Sequence, residues 1–425
     1  MRWLAIALWL TLTTIPAVAQ TTAGPTLPSR VRQLVPLLAG RDVPDYLAPA
    51  FTAQVSPAQL AAVTAQLRET LGEPDAIVAT RPDSAWSATL TVGYARGTAT
   101  VRIALDPIAE HRVVGLLVTG TTQANDTLER LTADFRALPG SGGFGIYRLG
   151  SGAGGGDPVP LAQWRGEAGA PVGSSFKLWL LAEAVRQVAA GRHRWTDVVP
   201  LGAPSLPSGI TQNWPAGTPM TLQGLATLAI SISDNTTADT LLRVLGRGRV
   251  DALATRLRWC EPGRTLPVLS TREAFAIKLD PALRAAWLRG DRDARMRLLA
   301  DDAATIEAAP LPAEAFAGGA VAAETVEWFA APVAMARTLD WLRLHGDAAA
   351  QAIMGVNPGT DPATSGLFDR IGFKGGSEPG VVAMNWLVRT KDGRWLAVAG
   401  NWHGDAVKPL TFATLMNRAL ALAAR

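Results

Sequence analysis

Cysteine is almost missing: Cys260 stands alone among 425 residues, so no disulfide can form within the chain. Histidine is nearly as scarce. Its four copies, at 111, 193, 345 and 403, are isolated and lack metal-ligand spacing. A metal site and a histidine-dependent triad are therefore not expected, and His403 reads as a surface residue at a strand end. Lysine is the third shortage. Five of the 40 basic residues are lysines (177, 278, 374, 391 and 408), and the net charge of +4 is spread along the chain without a basic block. Nucleic-acid binding is accordingly not expected. Beyond the N-terminus no apolar run is long and unbroken enough to span a bilayer.

The stretch 1–19 has the pattern of an export signal. Arg2 supplies the positive start, Leu4 to Ile15 the apolar core, and Ala17-Val18-Ala19 a small-residue cleavage site. An exported protein, periplasmic or secreted and free of the membrane after cleavage, is the expectation. The remaining length suffices for two ordinary domains.

The most informative stretch is Gly173-Ser174-Ser175-Phe176-Lys177-Leu178-Trp179-Leu180-Leu181. Ser174 and Lys177 are three residues apart, so on a helix they share a face one turn apart. Apolar neighbours desolvate the lysine, favour its neutral form and let it accept the serine proton. A helix start also offers free N–H groups where an oxyanion would form. S-x-x-K alone is common by chance, and a small-residue cap followed by a surface lysine would read the same way. Two further stretches change the balance. Ser233-Asp234-Asn235 lies between two apolar helical runs, and Lys374-Gly375-Gly376-Ser377 follows the strand-like Arg370-Ile371-Gly372-Phe373.

In chain order these are S-x-x-K, S-D-N and a K-G-G variant of K-T-G. Together they resemble the class A β-lactamase and penicillin-binding-protein superfamily of serine hydrolases, from about Thr127 to the C-terminus. The resemblance implies an antiparallel sheet with helices on both faces and a helical lobe carrying Ser233. It implies Ser174 as the acylated nucleophile and Lys177 as its base. Ser233 and Lys374 would form a second proton path, and Asn235 would hold Lys177 and the substrate amide. The backbone N–H groups of Ser174 and Ser377, beside Gly376, would make the oxyanion hole, while Asp234 is read as a structural cap. The implied activity is hydrolysis of β-lactams or small esters and amides through a serine acyl-enzyme, with a small-molecule substrate and no cofactor. The alternative is a penicillin-binding or sensor module that acylates or binds without turnover.

Two departures favour that alternative. Gly375 stands where the family usually carries a hydroxyl residue, and the deacylating glutamate has no clear counterpart. Glu273, Glu314 and Glu327 are the candidates, none in the expected context. The stretch between Ser233 and Lys374 is also longer than compact members use. The excess falls at about Pro281 to Trp328, whose small-residue part, Pro310 to Ala323, suggests a lid.

Ahead of this domain, the expected α+β unit spans 25–122. Helices at Arg30–Leu38 and Pro57–Leu71 precede strands at 76–79, 86–95, 99–105 and 112–119, with a hairpin turn at Tyr94–Thr98. The pattern resembles nuclear-transport-factor and steroid-isomerase-like domains, and no chemistry is expected from it. An α+β chain follows, with a signal at 1–19, the first domain at 25–122 and the hydrolase-like domain at 123–425. The arrangement resembles the two-domain proteins associated with clavulanic acid biosynthesis.

Overall fold

The computed structural model describes residues 26–108, 110–150, 156–205, 207–215, 217–312 and 319–425. The expected export signal and Glu314 lie outside them. The described chain divides into two compact units, which meet in sequence between Asp126 and Thr127.

In the first unit, the helix Pro57–Leu71 begins where Ser56 accepts the Gln59 N–H and the Gln59 side chain returns to the Ser56 N–H. This reciprocal cap satisfies two otherwise orphaned donors. Four antiparallel strands follow in sequential order, Pro74–Ser84, Ser87–Tyr94, Gly97–Leu105 and Val113–Gln123. Ala88, Leu90, Val92 and Tyr94 alternate inward on the second strand and pack with Leu34, Leu67 and Leu71 of the helices. The first strand runs well past the expected 76–79. Its added residues are polar or proline and carry no apolar alternation. Arg81 pairs with Thr89 in the ladder, and Asp83 accepts from the Thr89 hydroxyl at 2.7 Å.

The second unit is built on a five-stranded antiparallel sheet. Its order is Phe368–Glu378, Val381–Thr390, Trp395–His403, Ser141–Arg148 and Val159–Trp164. Both faces are covered, which is why Val381–Thr390 is buried nearly throughout instead of alternating. On one face Trp386, Val388 and Trp402 meet Phe135 and the C-terminal helix Pro409–Ala423 through Phe412 and Met416. On the other, the small residues Ala383, Ala397 and Ala399 let the helical lobe approach, bringing Leu178, Trp179 and Leu339 into the larger core. Together with the lobe helices Leu222–Ser231 and Asn235–Leu245, this is an α+β architecture in which helices cover both faces of an antiparallel sheet.

The inserted stretch folds as helices Pro281–Arg289, Arg292–Asp301 and Ala303–Ala308. Leu283, Trp287, Leu299 and Ile306 are buried in the larger core. Arg295 stacks over the Trp287 ring and donates to the carbonyls of Trp287, Gly263 and Leu266. This helical part is an integral wall. The described end of the expected lid is also docked: Ala320 fills the space beside Gly380.

Candidate active site

Ser174 does not open an α-helix. Gly173–Phe176 forms a 3₁₀ turn, and the α-helix Lys177–Ala189 begins at the lysine itself. The Lys177 N–H reaches back to the carbonyls of Ser174 and Ser175. In a 3₁₀ turn residues i and i+3 eclipse, which brings positions 174 and 177 into line along the turn. Gly173 enters the turn with φ +50°, and its α-carbon lies so close to Ser377 that an added β-carbon would sit 3.2 Å from the Ser377 nitrogen. Gly376 is tighter still. A β-carbon there would meet the Val172 carbonyl at 2.1 Å and the Ser174 nitrogen at 2.7 Å. The serine turn and the Lys374 strand therefore touch backbone to backbone.

Lys177 is fully buried, and its Nζ donates to the Ser233 carbonyl (2.6 Å), Asn235 Oδ1 (2.7 Å) and the Asp234 carbonyl (3.3 Å), with Ser233 Oγ at 3.4 Å. Burial pulls this amine down to about 7, against the opposing pull of Asp239 and Asp234. Lys374 sits within the strand Phe368–Glu378 and donates to Ser233 Oγ at 3.0 Å and the Gly375 carbonyl at 2.6 Å. Burial, then the neighbouring Lys177 charge, holds it well below the ordinary lysine range. Ser233 thus receives both amines. It occupies the gap between the helices Leu222–Ser231 and Asn235–Leu245 with φ +61°. That left-handed conformation costs a residue with a β-carbon about 1–2 kcal/mol. It turns the carbonyl toward Lys177 while the hydroxyl meets Lys374.

Asp234 holds this turn. Its carboxylate accepts from the N–H groups of Ile210 (2.8 Å), Thr211 (2.9 Å) and Thr237 (2.9 Å) and from the Thr211 hydroxyl (2.6 Å). Burial would raise its pKa, but these four donors together lower it. Asp234→Ala is expected to destabilise the protein by about 3 kcal/mol at pH 7, because a helix cap and several buried donors lose their partner. Because the folded pKa is depressed, this contribution is complete above the ordinary aspartate range and fades as pH falls through the depressed value. Denaturant midpoints of wild type and variant should differ at pH 7 and converge in acid. A difference under about 1 kcal/mol at pH 7 would refute the account.

The site also contains a residue that motif reading missed. Asn385 donates to Ser175 Oγ at 2.9 Å and to the Lys374 carbonyl at 3.3 Å, pinning the serine turn to the lysine strand. The only signal for it was one amide inside the otherwise apolar Val381-Val382-Ala383-Met384-Asn385-Trp386-Leu387-Val388. His403 departs from expectation as well: it is buried and pairs with Glu324. Glu273 caps its own helix through the Ser270 N–H (2.7 Å) and pairs with Arg247 at 2.6 Å. Glu327 is buried against Lys278 at 3.2 Å, and burial pushes it up to about 7 against the pull of that lysine. Beside Gly375 the space for a side chain is limited, since a β-carbon would lie 2.9 Å from the Phe373 ring. Among the described residues no group of three or more His, Cys, Asp or Glu is arranged to hold a metal, and no helix is long and apolar enough to cross a membrane.

Residues 127–273 match the model of the beta-lactamase enzyme family. That beta-lactamase-family stretch contains Ser174, Lys177 and Ser233-Asp234-Asn235, while Lys374 lies beyond it. Among solved structures, a beta-lactamase from Sphaerobacter thermophilus is 20% identical, with 70% of this chain and 96% of that chain covered and a TM-score of 0.46. One from Chitinophaga pinensis is 16% identical, with 69% and 96% covered and a TM-score of 0.46. One from Xanthomonas campestris pv. campestris is 19% identical, with 70% and 95% covered and a TM-score of 0.47. A comparison with curated proteins gave no match.

Proposed function

We propose that the second unit is a serine hydrolase of the beta-lactamase type that acylates Ser174 with a β-lactam or a small ester or amide. One observation carries the proposal. Three segments far apart in sequence place Lys177 and Lys374 on the same Ser233 hydroxyl, at 3.4 and 3.0 Å, with the Lys374 strand against the Ser174 backbone.

In this reading neutral Lys177 takes the Ser174 proton as the hydroxyl attacks the carbonyl. The Ser174 and Ser377 N–H groups receive the developing oxyanion, and Ser233 with Lys374 returns a proton to the leaving group. Asn235 orients Lys177. Gly376 is required for the close approach of the two donor segments. The matching experiment is incubation with a fluorescent penicillin and, separately, a fluorophosphonate, followed by peptide mapping. An adduct at Ser174 is expected; none with either probe would sink the proposal.

The second reading, a module that acylates or binds without turnover, is favoured by the engagement of Glu273 and Glu327 in ion pairs and by Gly375. With both of those glutamates engaged elsewhere and not priming water, the acyl-enzyme should accumulate, giving a burst followed by slow turnover of a chromogenic cephalosporin. Steady turnover of nitrocefin or p-nitrophenyl esters, abolished by Ser174→Ala, would exclude the non-turnover module. Export to the periplasm or medium belongs to the same proposal. So do the kinship of the first unit with steroid-isomerase-like domains and the likeness in arrangement to the two-domain proteins of clavulanic acid biosynthesis.

A further inference from the structure

A buried ionic cluster around Lys278 has no part in the proposed proton transfers. Lys278, on the helix Thr271–Leu279, is fully buried and donates to both carboxylate oxygens of Glu378 (2.5 and 2.6 Å) and to Glu327 Oε1 (3.2 Å). Burial alone would lower its pKa, but Glu327 and Glu378 outweigh that and raise it. A lysine retained in the core between two carboxylates is costly unless its geometry is used.

Its two partners lead to the two sides of the proposed oxyanion hole. Glu378 ends the strand Phe368–Glu378 and directly follows Ser377. Glu327 precedes Trp328, whose N–H donates to Glu327 Oε2 at 3.0 Å. The Trp328 carbonyl accepts the Val172 N–H at 2.9 Å, and its ring stacks on Phe176 with centroids 4.0 Å apart and planes within 2°. Val172 and Phe176 flank Ser174 on either side. The Trp328 indole also donates to the Leu269 carbonyl at 3.1 Å, just ahead of the Lys278 helix.

We infer that Lys278 is a positioning residue that sets the spacing of the Ser174 and Ser377 N–H donors, holding one through Glu327 and Trp328 and the other through Glu378. The inference rests on the serine-hydrolase reading, and it deepens that reading by adding a support the three motifs do not contain. Lys278, Glu327 and Glu378 touch no reacting atom. Their effect falls on how well two backbone donors converge on the oxyanion, so it should be felt in the transition state more than in substrate binding.

The experiment uses the full chain. First the fluorophosphonate adduct is mapped to Ser174 in the wild type, and then p-nitrophenyl acetate and its thionoester are compared in wild type and Glu378→Gln. The expected result is a loss of about 10- to 100-fold in kcat with KM within about twofold. A matching fall in the preference for the oxoester is expected, because sulfur accepts these hydrogen bonds poorly. A structural defect alone would reduce active protein without changing that preference. Unchanged kcat and unchanged oxoester preference would overturn the inference.

Should Glu378→Gln fail to fold, the triple variant Lys278→Met/Glu327→Gln/Glu378→Gln removes every charge together and leaves none buried alone. The same readouts then apply. If neither the fluorophosphonate nor the fluorescent penicillin labels Ser174 in the wild type, the hydrolase reading fails, yet the clamp is still measurable by amide exchange. Faster exchange confined to peptides covering 172–176 and 374–378, with the C-terminal helix unchanged, would support it. No local change would overturn it.

Discussion

Lys177→Ala is expected to slow acylation of Ser174 by about 10²–10⁴-fold, the range for removal of a general base. Lys374→Ala should cost less. Lys177 lies three residues after Ser174 across a 3₁₀ turn, so in the proposed mechanism it is the amine nearest the nucleophile in the chain, whereas Lys374 is tied to the site through Ser233. Burial brings Lys177 to about 7, so near neutrality a substantial fraction is unprotonated and able to accept. The sign of the pH dependence follows. Only the neutral amine takes the proton, so acylation should rise through about pH 7 and level off above it in the wild type. Lys177→Ala should lose that limb, and Lys374→Ala should keep it. Stopped-flow acylation with a chromogenic cephalosporin, from acid through neutral to mildly alkaline pH, measures all three. Equal losses in the two variants, or a surviving limb in Lys177→Ala, would refute Lys177 as the base.

The second large effect comes from a single methyl group. Gly376→Ala places a β-carbon 2.1 Å from the Val172 carbonyl and 2.7 Å from the Ser174 nitrogen, and both contacts are backbone atoms. No side-chain rotation relieves them, so the strand and the serine turn must separate. The separation moves both oxyanion donors at once. Loss of one such donor typically costs about 10²–10³-fold, and Gly376→Ala should lose at least that much acylation. The displacement is local to one strand end, so the protein should still fold, with some loss of stability from overpacking. Gly375→Ala is the useful comparison. Its β-carbon would meet the Phe373 ring at 2.9 Å, a side chain able to shift, so a smaller effect is expected. Acylation in Gly376→Ala within about tenfold of wild type would show that the two segments yield more easily than their packing implies.

These predictions separate what was legible in the chain from what was not. Short-range chemistry was legible. The role of Asp234 as an acceptor of backbone donors follows from its place at a helix start, where the sequence states its own hydrogen-bond needs. The strand leading to Lys374 was readable from Arg370-Ile371-Gly372-Phe373, whereas the antiparallel sheet of the second unit came only as what the family resemblance implied. Ser174, Lys177, Ser233 and Lys374 were legible as motifs, each a local pattern of few residues. Even there, spacing alone could not tell a 3₁₀ turn from an α-helical one, since both allow the i, i+3 relation. Polar strand residues such as Arg81 and Asp83 were missed because ladder pairing, with no apolar alternation, extends that strand.

The tertiary structure decided which charges are paired and which are desolvated. Glu327 reads locally as one more surface carboxylate. It is buried because Lys278, from a helix well before it in the chain, and Glu378, from a strand well after it, converge on the same interior point. His403 is likewise buried against Glu324 by the folding of the inserted stretch over a strand end. Asn385 acquires its role only when the sheet brings it to Ser175, a residue far earlier in the chain. A residue's desolvation and its ion-pair partners depend on the packing of distant segments, and a single sequence encodes no local signal for that. Sequence alone determined which chemical groups the chain carries and how its helices and strands begin. Folding determined which amines lose their water, and so which can act as bases, because burial in a common core is a property of all the contributing segments together.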